Sequence, residues 1–91
     1  MANFLHQEAD FEHNNQFYFQ PATLVIKVGD EVVWVNDSDT NHWVVSNTAG
    51  IFNSYLIPTN HSFWVILDRV NTYAYHDNIF LSMKGTIYVT S

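Results

Sequence analysis

From Gln16 onward, apolar and polar positions alternate with a period of two. Phe17 and Phe19 share a side, with Tyr18 between them and Pro21 after them. Leu24 and Ile26 alternate with Val25 and Lys27, and Val28-Gly29-Asp30 has the composition of a turn. Val32 and Trp34 then share one face, and Val33 and Val35 the other. Beyond the polar stretch 36–41, the same-face sets are His42 and Val44; Phe63, Val65 and Leu67; Tyr73, Tyr75 and Asp77; and Ile87 and Val89. No window keeps a 3.6-residue period. Short strands rich in β-branched and aromatic residues predict an all-β fold, a sandwich of two sheets or a barrel. Asn60 and Asn71 stand where turns need left-handed backbone, which Asn tolerates better than other non-glycine residues. Residues 1–16 are the least patterned: Phe4 and Phe11 read as packing residues, and His13, Asn14 and Asn15 as a turn.

A length of 91 residues predicts a single domain over 1–91. Only 13% of residues are charged, against about 25% in ordinary soluble chains. The surface must therefore carry many neutral or apolar side chains. Nine acids against three bases give a net charge of -6, which argues against nucleic acid and anionic membranes as partners. No apolar run approaches the roughly 20 residues of a membrane span, so no membrane insertion is expected. The start, MANFLHQEADFEH, lacks the basic and apolar regions of a signal peptide. The chain has no cysteine, which excludes disulfides and thiolate chemistry.

Four segments carry a family resemblance. PATLVIKVGDEVVWVN (residues 21–36), DTNHWVVS (39–46), PTNHSF (58–63) and NTYAYHDNIFLSMKGTIYV (71–89) occur in the order and spacing of small plastocyanin- and amicyanin-like cupredoxins. The chain resembles that family over residues 17–89. The resemblance implies a cupredoxin-like Greek-key β-sandwich of eight strands and an extracytoplasmic location, periplasmic or secreted. It also implies a copper ion held by two His, a Cys and a distant Met. The first His falls on His42. Anchoring the last loop on Met83-Lys84-Gly85 puts Asp77 at the Cys position, Phe80 at the second His position and Leu81 where Pro is usual. Trp43 replaces the small polar residue that commonly follows the first His. A copper thiolate is the core of a blue centre. A chain without cysteine has none, so the copper site reads as degenerate and blue-centre electron transfer is not expected.

Asp77 shares the inward face of Tyr73 and Tyr75, and two readings follow. It either hydrogen-bonds His42 and plugs a vacated pocket, with the Phe80 ring filling the imidazole volume. Or it joins His42 and Met83 in a non-blue Cu(II) or Zn(II) site. No cofactor is the first expectation. His6, His13, His61 and His76 read as surface histidines. No Ser/His/acid set stands at a recognisable spacing, and there is no Gly-rich phosphate loop. An enzyme is not expected.

Outward positions carry large apolar residues. Val33 and Val35, with Trp64 and Ile66 on a neighbouring strand, predict one apolar patch on the outside of a sheet. Trp43 and Val45 face outward on the other sheet. Such a patch marks an interface, and Trp is enriched at binding hot spots. Its cover is either another molecule, a second copy or a protein partner, or the N-terminal segment folded over it. The function this predicts is a non-catalytic binding domain acting by self-association or docking. The alternative is a non-blue copper or zinc protein.

Overall fold

A computed structural model describes the backbone of residues 4–13 and 16–91, and side chains at Phe19 and from Pro21 onward. Predictions on Asn14, Asn15 and the side chains of Phe4, His6, Phe11, His13 and Phe17 lie outside the described residues. Nine strands are described: β1 Phe4–His13, β2 Gln16–Gln20, β3 Thr23–Lys27, β4 Glu31–Val35, β5 His42–Ser46, β6 Asn53–Ile57, β7 Ser62–Ile66, β8 Asn71–Asp77 and β9 Lys84–Thr90. They form two sheets, in the orders β2-β1-β4-β7 and β3-β9-β8-β5-β6. β1 runs parallel to β4 and β3 parallel to β9; the other pairs are antiparallel.

The alternation read from the sequence is the alternation of burial. Leu24, Ile26, Val32, Trp34, Val44, Tyr73, Tyr75, Ile87 and Val89 all face the space between the sheets. Trp34 joins the two layers: its ring lies 5.8 Å from Phe63 in its own sheet and 5.3 Å, edge-on, from Tyr75 opposite. Aromatic pairs at these separations add to the stabilisation from area burial. At the 27–30 turn, Gly29 takes φ 91° and the Lys27 amide donates to Asp30 Oδ2 at 2.9 Å.

The structure corrects several expectations. Residues 4–13, expected to be unpatterned, form β1, beside β4. The β1 backbone lies beside β4 within the sheet rather than across its outer face. Among the described residues the strands number nine rather than eight. β6 was not foreseen, because Tyr55 sits at φ 58° and breaks its alternation. Asn60 does take a left-handed conformation, at φ 67°. Asn71 instead opens β8, where its side chain accepts from the Thr72 amide.

Gly85 is held by sterics. A β-carbon there would overlap the ring of Tyr75, which is fully buried against Phe19, Trp34 and Phe52. The ring cannot retreat without opening the aromatic core. Overpacking of this kind costs about 1–3 kcal/mol. Gly85→Ala should lower the denaturant midpoint by an amount in that range with an unchanged m-value, measured by urea unfolding.

Candidate functional site

His42 opens β5 and Asp77 closes β8, and both side chains point between the sheets at the same end of the sandwich. They meet: His42 Nδ1 lies 2.6 Å from Asp77 Oδ2. Asp77 Oδ1 accepts from the amides of Ile79 at 2.7 Å and Phe80 at 3.1 Å, and Oδ2 lies 3.4 Å from the Trp43 amide. A buried carboxylate is costly unless donors surround it, and here the backbone supplies them. The same contacts tighten the 78–83 loop, together with the bonds from the Asp77 amide to the Met83 carbonyl and from the Met83 amide to the Phe80 carbonyl.

The other face of the imidazole leads to a residue the sequence reading missed. His42 Nε2 lies 3.0 Å from Ser38 Oγ. Ser38, His42 and Asp77 thus stand in the order of a hydrolytic triad, all buried. Proton bookkeeping argues against that role. Asn36 Nδ2 donates to the carbonyls of Thr40 and Ile57, at 2.8 and 2.7 Å, which fixes the amide with Oδ1 toward Ser38. Ser38 Oγ then faces Asn36 Oδ1 at 2.6 Å and the Thr40 carbonyl at 3.1 Å, both of which can only accept. The Ser38 proton goes to one of them, so Ser38 Oγ accepts from Nε2–H of His42. A general base needs the opposite polarity, with the imidazole lone pair on the hydroxyl.

The same bookkeeping bears on metal binding. Nε2 carries a proton, and the short Nδ1–Oδ2 contact shares another. Whichever atom holds that second proton, neither imidazole nitrogen offers a lone pair to a metal. The Phe80 ring packs 5.4 Å from the imidazole and Met83 is buried beneath the loop. Among the described residues, no three His, Cys, Asp or Glu converge on a point that could hold an ion. As arranged, the residues do not fit a copper ion. His61 is exposed and contacts the Thr59 carbonyl at 3.1 Å, and His76 meets Asn47 Oδ1 at 2.6 Å. Neither reaches the His42 pocket.

The outward apolar residues divide. Val33 and Trp64 are paired in register, as the sequence suggested. Trp64 is 58% exposed and Ile66 50%, whereas Val33 is only 6% exposed and Val35 half-buried. Val33 is therefore not part of an open patch. On the other sheet, Trp43 and Val45 are half-buried. Trp43 donates to Asn53 Oδ1 at 2.8 Å, and its ring lies 5.5 Å from that of Tyr55.

The sequence profile described as copper binding proteins, plastocyanin/azurin family, matches residues 6–90. No match was found among curated protein sequences. Among solved structures, a purple cupredoxin from Nitrosopumilus maritimus superposes with a TM-score of 0.83 at 22% identity, covering 94% of this chain and 99% of its own. The Cu(I) form of an amicyanin mutant gives 0.83 at 20% identity, covering 99% of this chain and 86% of its own. At these identities the likeness is one of fold.

Asp77→Ala would leave His42, the Ile79 amide and the Phe80 amide without their acceptor. Removing one member of a buried charged or hydrogen-bonded pair costs about 3–5 kcal/mol. Unfolding curves should show a loss of this size, identical with and without chelator. A loss seen only without chelator would mean that a metal, not the hydrogen-bond network, depends on Asp77.

Proposed function

Because the chain belongs to the plastocyanin/azurin family of copper-binding proteins, we propose that it is a cupredoxin turned from copper to protein binding. It is a non-catalytic domain without a blue centre, acting outside the cytoplasm by self-association or partner docking on the outer face of the β4–β7 pair. The observation that carries this reading is the pairing of a closed pocket with an open surface. The His42 nitrogens are engaged by Asp77 and Ser38, while Trp64 and Ile66 stand in solvent side by side. Burying one large apolar side chain fully is worth about 1.5–3 kcal/mol, so the two together favour a cover.

The second reading, a non-blue Cu(II) or Zn(II) site at His42, Asp77 and Met83, requires the Nδ1–Oδ2 bond to open first. Metal bound by so few ligands in competition with that bond would be weak. One equivalent of Cu(II) should therefore produce no intense thiolate-to-copper band, and calorimetry with Cu(II) or Zn(II) should give little heat. Stoichiometric uptake abolished by Asp77→Ala would favour the second reading instead.

The surface is tested by Trp64→Lys combined with Ile66→Lys. Both side chains are exposed in the isolated chain, so the monomer should keep its unfolding midpoint to within about 0.5 kcal/mol. Sedimentation should show wild-type protein as an associated species and the double variant as a monomer. A monomeric wild type whose exposed tryptophan is quenched freely by acrylamide, with or without other proteins present, would defeat the proposal.

A further inference from the structure

The backbone of β7 has an open side. The Asn36 amide donates to the His61 carbonyl at 2.9 Å, and the Leu67 amide to the Asp30 carbonyl at 3.4 Å. Hydrogen-bonded pairs alternate along an antiparallel ladder. Phe63 and Val65 therefore turn their backbone groups toward β4, and Ser62, Trp64 and Ile66 turn theirs away. Among the described residues β7 ends its sheet, so these amides and carbonyls meet no further strand.

Natural edge strands are guarded by Lys, Pro, bulges or short length against pairing with another chain. The edge β3 ends in Lys27. The edge β6 has a register irregularity opposite β5 and the left-handed Tyr55. β7, SFWVI, is as short as β3 and β6 but carries no Lys, Pro or bulge, and its register with β4 runs without a shift. The strand and the chain before it are also uncharged, since between Asp39 and Asp68 the sequence contains no Asp, Glu, Lys or Arg, and the one charged residue paired with β7 is Glu31, on its inner side opposite Ile66. In a molecule of net charge -6, that is where a second copy meets the least repulsion.

We propose that β7 is the seam of a homodimer, in which two copies pair antiparallel about a two-fold axis at Trp64 and merge their four-stranded sheets into one. The inference rests on the self-association reading above and specifies its mode. In this register Trp64 faces Trp64 of the second copy, and Ser62 faces its Ile66. Every outward amide and carbonyl of Ser62, Trp64 and Ile66 then finds a partner within β7 of the second copy, which no other antiparallel register of this strand achieves. The exposed apolar side chains of the two copies fall on one face across the seam. Asp68 and Arg69 fall opposite Asn60 and Thr59, so no like charges meet.

The chain has no cysteine, which makes introduced thiols unambiguous. Hydrogen-bonded antiparallel partners have α-carbons about 5.5 Å apart, within the range a disulfide spans. Ser62→Cys with Ile66→Cys should cross-link into a covalent dimer under mild oxidation, while either single variant should not. Wild-type protein should sediment as a dimer. The Ser62, Trp64 and Ile66 amides should exchange with solvent more slowly as concentration rises, a measurement that stands even if the variants fold poorly. A monomer at all concentrations would overturn both this proposal and self-association. A dimer without the cross-link or the amide protection would overturn the β7 seam alone. Single variants that cross-link as readily as the double would overturn the register. Protection of these amides by a different protein, with no dimer, would assign the edge to that protein instead.

Discussion

The bond between His42 Nδ1 and Asp77 Oδ2 is the contact on which one end of the sandwich depends. It joins the start of β5 to the end of β8 and draws a loop in from each side. Asp77 gathers the amides of Ile79 and Phe80, and His42 reaches Ser38, which is held in turn by Asn36. Asn36, Ser38, His42 and Asp77 are each buried, and each is satisfied by the next. Such networks are all or nothing energetically, since a half-satisfied buried group costs more than an apolar replacement. Hydrogen bonds between protein groups cross-link these loops, with Phe80 and Met83 packed against the same core.

A closed hydrogen-bond network of this kind stabilises one geometry at the end of the molecule. The triad-like order of Ser38, His42 and Asp77 shows how little order alone means. The direction of the Ser38 proton, set by a fixed Asn36 amide, makes the serine an acceptor from histidine rather than a nucleophile activated by it. On the surface, the low charge content leaves large apolar side chains in water.

Much of this was legible in the sequence, for identifiable reasons. Burial in β3, β4, β5, β8 and β9 follows strict alternation, so the core and the inward placement of both His42 and Asp77 could be read by counting. The meeting of those two residues followed from burial cost, because an inward carboxylate needs a donor. Ser38 left no such trace: it lies in a loop, where no period says which way a side chain points. β1 was hidden by its polar composition, and β6 by Tyr55, whose left-handed backbone displaces the side-chain pattern around it. Val33 was read correctly as outward and wrongly as open. It sits on an inner strand of its sheet, between β1 and β7, and outward there does not mean exposed.

That distinction between face and edge bears on how the apolar surface can be used. Val33, on an inner strand, is buried and needs no partner. On β7 the exposed Trp64 and Ile66 stand beside backbone groups that no further described strand pairs. A cover laid flat on the face would bury the side chains and leave those amides and carbonyls in contact with its rim. A strand added at the edge satisfies the backbone and extends the sheltered face at once. The uncharged stretch from Thr40 to Leu67 favours the same outcome, because it removes the charges that ordinarily keep sheet edges apart. The exposed side chains and the open backbone are therefore one feature, produced by the position of a charge-free strand at the end of its sheet.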